Sequence, residues 1–395
     1  MPKDNVLTLK VPGANLVFTR YLYIKDEVKT SLLISILNKS EDAIFWAYEL
    51  YYSGFPNELI EFIWQIYYDF FATQNPTFAA YLSKKLSKEG PKDDRLISSI
   101  IQNLLIRNYN TDVFLLRTIS ECFTSEAINA DAGLNVVGTL LLNEDYRGLA
   151  SYIFSNKERK LEEEIEIYKS ALNYFKLTNQ EKRIKDLINE LSNKGNQSTI
   201  LLANIMSLIN SEQNLIKKKI NFYVRVDPEE VVQYETIEAS DKIKSYRILR
   251  HGCTRKIENC WANLFEGFRN QIHNFKEKEK YNDWTTRATV EKHSDNWLYH
   301  AAFSPEWFDR IRLCKGYIDY VKQEVRFISD LWEDTFNNRF NLDPDEQSLL
   351  VKNNALKQSE DKSNWQQFFA KYKRDGLIVA LDEELDALNE EPLKY

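Results

Sequence analysis

The sequence is poor in cysteine, glycine and proline. Its 395 residues include 4 Cys, 11 Gly and 9 Pro. Four cysteines are too few for the disulfide framework that stabilises small secreted domains. So little glycine and proline excludes collagen-like chains and argues against all-β folds with many tight turns.

The sequence also lacks a signal-like start and long apolar runs. The opening MPKDNVLTLKVPG has no apolar core of the kind found in secretory signals. The apolar stretch Ala43–Leu50 is interrupted by Glu49, well short of the ~20 residues that a membrane-spanning helix needs. We therefore predict a cytoplasmic protein without membrane association.

Aromatic residues, by contrast, are abundant. Phe, Tyr and Trp make up 13% of the chain, and so much aromatic surface must be buried, which excludes disorder over most of the length. The 52 basic residues against 59 acidic ones give a net charge of −7. The length suggests two or three domains.

Apolar residues recur at helical spacing from Thr30 to about residue 222, with Gly, Asn or Pro at the joints. The predicted helices include Arg95–Arg107, Asp112–Phe123, Lys157–Leu177, Gln180–Ser192 and Thr199–Phe222. No exact repeat period is present. The pattern predicts a mainly α fold, as either an irregular helical bundle or an α-solenoid-like stack.

Shifts in composition divide the chain into four segments. We predict an extended N-terminal segment at 1–28, a helical-repeat-like domain at 29–222, a Trp- and His-rich, mostly helical domain at 223–342, and a flexible linker with an acidic amphipathic tail at 343–395. The helices predicted in the third segment are Asp241–His251, Thr254–Glu277 and Pro305–Asn338.

The common catalytic and nucleotide-binding motifs are missing. GxSxG, HExxH, GxxxxGK[ST] and GxGxxG do not occur in the sequence. His251, Cys253 and Cys260 lie close together, but their H-x-C-x6-C spacing matches no common zinc site. We expect no catalytic residues, no metal and no cofactor, and an enzyme with a non-standard site stays open.

A basic segment could contact nucleic acid. Its six positive residues are Lys242, Lys244, Arg247, Arg250, Arg255 and Lys256. On a helix, Lys244, Arg247 and Arg250 form one stripe that could meet the phosphates of RNA or DNA. Pairing with local acids is the alternative, since the chain is acidic overall.

Residues Tyr372–Ile378 read Y-x4-L-Φ, where Φ is apolar. This segment resembles the motif by which translation-initiation scaffolds and repressors dock on the mRNA cap-binding initiation factor. The resemblance implies that Tyr372, Leu377 and Ile378 bind that protein from a helix. The sequence departs from the pattern at Gly376, since glycine inside a helix costs about 1 kcal/mol relative to alanine.

An apolar stripe continues along the tail, through Leu377, Leu381, Leu385 and Leu388. From Asp375 to Glu391 there are seven acids and no base. An acidic helix with one apolar stripe buries little surface alone. It is therefore expected to dock either on a protein partner, through Leu381 and Leu385, or on the protein's own helical body.

Four longer strings are similar to an uncharacterised helical protein family of giant double-stranded DNA viruses. They are SEDAIFWAYELYYSGF at residues 40–55, YRILRHGC at 246–253, and WLYHAAFSPEWFDRI at 297–311 followed by NLDPDEQ at 341–347. The resemblance implies host cytoplasm, a viral factory or the virion.

The function predicted from the sequence is that of a non-catalytic helical scaffold or adaptor, viral in origin, that recruits the cap-binding factor through Y-x4-L-Φ. The alternatives are a nucleic-acid-binding protein that uses the Lys244/Arg247/Arg250 stripe and a virion structural protein.

Overall fold

The fold is mainly α-helical. The computed structural model describes residues 17, 19–20, 25–89, 94–122, 136–156, 159–192, 197–216, 222–225, 231, 234, 297–340, 370–374 and 376–378. The prediction of a mainly α fold is confirmed.

Eleven α-helices occupy the described residues between 25 and 212. They are α1 (Lys25–Leu37), α2 (Asp42–Tyr52), α3 (Pro56–Ile66), α4 (Phe78–Glu89), α5 (Asp94–Leu105), α6 (Asp112–Cys122), α7 (Val136–Leu142), α8 (Tyr146–Phe154), α9 (Leu161–Tyr174), α10 (Gln180–Ser192) and α11 (Gln197–Glu212). A π-helical turn, Tyr67–Phe71, follows α3 directly.

A second group of elements lies between residues 297 and 340. It comprises α12 (Trp297–Ala301), α13 (Pro305–Leu313), strands β1 (Gly316–Asp319) and β2 (Glu324–Phe327), and α14 (Asp330–Phe340). The strands form an antiparallel hairpin in which Gly316 pairs with Phe327 and Asp319 pairs with Glu324.

Helix α11 lies at the centre of the first group. Eleven of its residues, between Thr199 and Asn210, are buried. It packs against α6, α8, α9, α10 and the π-helical turn. In a solenoid each repeat contacts only its neighbours, so these contacts identify an irregular bundle, hereafter the helical body.

Local sequence explains the ends of several helices. The Asp145 carboxylate caps α8 by accepting the Gly148 N–H at 2.8 Å. Between α2 and α3, Gly54 takes a φ of +91°, which glycine adopts without strain, and Pro56 then occupies the first turn of α3.

Two buried ion pairs fix the interior of the helical body. Arg117 binds Asp69 in the π-helical turn with two hydrogen bonds, at 3.0 and 2.8 Å. Arg20 Nε pairs with Glu49 at 3.1 Å. All four side chains are at most 4% exposed, so removal of one partner would leave a buried charge.

The N-terminal prediction needs one correction. The segment 1–28 was expected to be extended, but α1 begins at Lys25. Val28 and Leu32 are fully buried, so the apolar face begins before Thr30. Lys25 and Lys29 both pair with Glu58 at 2.9 Å and hold this first turn against α3.

Two predicted helices are wrong in extent. The helix expected at Thr199–Phe222 ends at Glu212, and residues 222–225 are not helical. The helix expected at Pro305–Asn338 is interrupted by the hairpin. Lys315 takes a φ of +54°, which ends α13. At the hairpin turn, the Asp319 carboxylate accepts the N–H groups of Val321 and Lys322.

Helix α13 attaches the second group to the start of the chain. Trp307 Nε1 donates to the carbonyl of Thr19 at 2.8 Å, and Arg310 Nη1 donates to the carbonyl of Arg20 at 3.2 Å. Among the described helices, none combines the length and the apolar character needed to cross a membrane.

Candidate functional site: the docking position of residues 370–378

The carboxylate of Asp112 binds a distant segment of the chain through its backbone. Oδ2 accepts the N–H of Leu377 and Oδ1 accepts the N–H of Ile378, both at 3.0 Å. Asn110 Nδ2 lies 3.3 Å from Oδ2 and donates a further hydrogen bond. Asp112 begins α6 and is only 1% exposed, so the contact lies inside the protein.

Burial and hydrogen bonding oppose each other at this carboxylate. Burial raises the pKa of Asp112 to about 6, because desolvation disfavours the charged form. The N–H groups of Leu377 and Ile378 and the charge of Lys373 act in the other direction and lower the pKa. Burial therefore disfavours ionisation of the Asp112 carboxyl group, while the two backbone N–H donors and Lys373 favour it.

Gly376 allows the close approach of the two segments. A Cβ atom at this position would overlap Asp112 Oδ1. Any side chain here would push the backbone away from the carboxylate. The glycine that weakens a helical Y-x4-L-Φ motif is thus required for this docked conformation.

Side chains on both sides of Gly376 anchor the segment in the helical body. Tyr372 is 2% exposed and Ile378 is 5% exposed, and both belong to the main apolar core. Asn38 Nδ2, just after α1, donates to Tyr372 Oη at 3.1 Å. Leu377 is partly buried against the same core. The segment therefore joins the end of α1 to the start of α6.

Tyr109 lies beside this segment. Its ring is 5.8 Å from the Arg374 guanidinium, and Arg374 Nη1 also donates to the carbonyls of Lys371 and Lys373. Tyr109 Oη is buried without a hydrogen-bond partner among the described residues. Burial raises the pKa of Tyr109 to about 12, so the phenol is neutral near pH 7.

The conformation differs from the helix expected for Tyr372–Ile378. Residues 370–372 end a helical turn, and residues 373, 374 and 376–378 are not helical. The N–H groups of Leu377 and Ile378 bond to Asp112 instead of to carbonyls four residues earlier. The structure thus brings together Tyr372, Leu377 and Ile378, but on the helical body of the same chain.

A second segment, 222–225, is held on α5 in a related way. Asn103 is fully buried, and its amide pairs with both backbone groups of Val224. Asn103 Nδ2 donates to the Val224 carbonyl at 2.9 Å, and Val224 N donates to Asn103 Oδ1 at 3.0 Å. One side chain thereby reproduces the pairing that a neighbouring β-strand would provide.

Arg107 completes this second contact. Its guanidinium lies 4.2 Å from the ring centre of Phe78 and 5.0 Å from that of Tyr223. Tyr223 also stacks on Tyr81 at 4.1 Å. Arg107 Nη1 donates to Asn103 Oδ1 at 3.1 Å, which links the two parts of the contact.

Other candidate residues lie outside the described ranges. They are the predicted nucleic-acid contacts Lys242, Lys244, Arg247, Arg250, Arg255 and Lys256, the cluster His251, Cys253 and Cys260, and the tail residues Leu381 and Leu385. Within the part of the chain that the structure describes, no three His, Cys, Asp or Glu side chains are placed to share a metal ion.

The residues that receive the two segments were not identified from the sequence. Asp112 fits a helix N-terminus, and Asn38, Asn103 and Arg107 have no distinguishing pattern. Gly376 is the one sequence feature that points to this contact. Glycine is unfavourable inside a helix, and it lies where the segment comes closest to Asp112.

Comparison of the chain with protein-family models, with curated proteins and with solved structures gives no match.

Proposed function

We propose that the protein is a non-catalytic helical scaffold or adaptor, viral in origin, that binds other proteins through peptide segments. The observation that carries this proposal is the capture of two backbone N–H groups by the buried Asp112 carboxylate. Recognition of an extended segment through its main chain, with pockets for selected side chains, is a recurring mode of peptide binding.

The partner proposed for the Y-x4-L-Φ segment is the mRNA cap-binding initiation factor. Tyr372, Leu377 and Ile378 would contact it, continued by Leu381 and Leu385. Because Tyr372 and Ile378 are buried, the segment must leave the helical body before these side chains reach a partner.

Capture of the full-length protein on immobilised cap-binding factor tests this proposal. We expect binding by the parent chain and at least a tenfold loss in Tyr372→Ala/Leu377→Ala. Tyr320→Ala/Leu331→Ala is the matched control, since it removes an exposed Tyr and an exposed Leu near the hairpin. No binding by the parent, or equal loss in the control, contradicts the proposal.

Nucleic-acid binding through Lys244, Arg247 and Arg250 is the second candidate function, supported by the charge pattern of this segment. Phosphate contacts release counterions, so the affinity for single-stranded RNA should fall steeply as salt rises from about 50 to 200 mM. Replacement of the three residues with alanine should abolish binding. Lys182, Arg183 and Lys185 in α10 provide a matched basic control.

A virion structural role is the third candidate, and it follows from the viral resemblance. Mass spectrometry of purified particles separates it from the adaptor role. Stoichiometric copies in washed particles support the structural role, and absence from them contradicts it.

A further inference from the structure

We propose that the Asp112 site is a peptide receptor, that residues 370–378 are its intramolecular ligand, and that this occupancy competes with partner binding through Y-x4-L-Φ. The competition rests on the proposed function above. The receptor itself does not, because contacts within this chain support it.

The site recognises four separate features of its ligand. Asn38 contacts the Tyr372 hydroxyl, Asp112 takes two consecutive backbone N–H groups, and the apolar core receives Ile378. Gly376 is selected because a Cβ atom would overlap the carboxylate. The ligand class is therefore a peptide with tyrosine, three residues, glycine and two apolar residues.

The two roles of the segment exclude each other. With Tyr372 at 2% and Ile378 at 5% exposure, neither side chain offers a surface to a second protein. The cap-binding resemblance also needs a helix across Tyr372–Ile378, whereas Asp112 holds Leu377 and Ile378 outside one. A helix would turn both N–H groups back to their own chain.

An intramolecular ligand has a high effective concentration, so a free peptide cannot easily displace it. The chain's own segment must therefore be released from the Asp112 site first, and the residues that form the site must stay unchanged. Gly376→Ala does this, since it alters the ligand and leaves Asp112, Asn38 and Tyr109 intact.

The first experiment measures binding of a fluorescent peptide with the sequence of residues 368–380 to the full-length protein. We expect the Gly376→Ala chain to bind it at least tenfold more tightly than the parent does. Asp112→Ala added to Gly376→Ala should abolish binding. A peptide that itself carries Gly376→Ala should not bind either chain.

The Gly148→Ala chain is the matched control for this experiment. A Cβ atom at Gly148 would overlap the Asp145 carboxylate, so the substitution disturbs a similar Asp–Gly contact at the start of α8. Peptide binding by this chain would show that general loosening, not release of the segment, is measured. That result would overturn the proposal that Asp112 forms a peptide receptor. The same conclusion would follow if the Gly376→Ala chain melts like the parent and does not bind the peptide.

The second experiment tests competition with the Y-x4-L-Φ sequence unchanged. We expect Asp112→Ala to raise capture by the cap-binding factor at least fivefold, and Asp145→Ala to leave it unchanged. Equal capture of the parent and Asp112→Ala chains overturns the competition. Absence of capture by both overturns the proposed partner, while the peptide experiment still decides on the receptor.

Discussion

Asp112 Oδ1 accepts the Ile378 N–H at 3.0 Å across 266 positions of sequence. The contact places a carboxylate in the protein interior. Its hydrogen bonds stabilise the docked segment, whereas the cost of burying its charge destabilises the docked state. The balance between these effects depends on pH.

Protonation of Asp112 should stabilise the folded protein. Its pKa rises from 3.8 to about 6 on folding, so the contribution is complete below pH ~4 and is lost as pH rises through 6. Relative to Asp112→Asn, the parent should gain about 2 kcal/mol of unfolding free energy between pH 7.5 and pH 4.5. Urea unfolding of both chains at the two pH values measures this.

Lys373 and the N–H groups of Leu377 and Ile378 lower the pKa of Asp112, whereas its charge contributes to the raised pKa of Tyr146. Burial raises the pKa of Tyr146 above its ordinary value, so this phenol stays neutral between pH 4.5 and 7.5. A difference between parent and variant that is constant over this range, or that grows with rising pH, contradicts the prediction.

Loss of Asp69 should strongly destabilise the helical body. Asp69→Ala removes the carboxylate that accepts two hydrogen bonds from the buried Arg117 guanidinium, and we expect a loss of about 3–5 kcal/mol in unfolding free energy. Asp69→Leu with Arg117→Met should cost less than Asp69→Ala, since no charge stays buried. Glu166→Ala, which removes an exposed pair with Lys169, should change stability by less than about 0.5 kcal/mol.

Removal of the Asn103 amide should release residues 222–225. Asn103→Ala leaves the N–H and carbonyl of Val224 without their partner, and we expect about 1–3 kcal/mol of destabilisation. Hydrogen exchange at the Val224 amide should accelerate at least tenfold. Asn173→Ala removes an exposed amide and should leave this exchange unchanged. Unaltered exchange in Asn103→Ala would show that other contacts hold the segment.

Gly54 should tolerate no side chain. Its φ of +91° disfavours other residues, and a Cβ atom would lie 2.6 Å from Pro305 Cβ at the start of α13. We expect Gly54→Ala to lower the melting temperature by at least 5 °C, the scale of a loss of about 2 kcal/mol or more. Amide exchange in α13 should rise as its contact with the α2–α3 joint is lost, and parent-like exchange would contradict this.

Helix positions followed from the sequence where apolar spacing and end signals agreed. Gln180–Ser192 was predicted at its observed limits, and Asp112–Phe123 within one residue. The hairpin was missed because helical spacing was extended across Gly316 and the turn that follows Asp319. Gly316 and the turn after Asp319 are local signals for the end of a helix. The charged residues around them are compatible with a helix, and their number favours helix over the hairpin in a prediction from spacing.

The candidate site was only partly accessible from sequence. Tyr372, Leu377 and Ile378 were singled out because they follow one another in a short motif. Their receptors, Asn38 and Asp112, lie more than 260 residues away, and a single sequence carries no information on such pairing. The choice between a non-helical and a helical conformation of this segment depends on those tertiary hydrogen bonds and not on local propensity.

The contacts at Asn103 and Asp112 lie only nine positions apart in sequence, and each uses one side chain to hold two backbone groups of a distant segment. Every residue except proline carries a backbone N–H group, so these hydrogen bonds place little demand on which residues stand at 224, 377 and 378. A single change at Asn103 or Asp112, by contrast, removes two hydrogen bonds at once. Tolerance to substitution, as far as these hydrogen bonds decide it, is therefore unequal on the two sides of each contact: low at the residue on the helical body and higher in the attached segment.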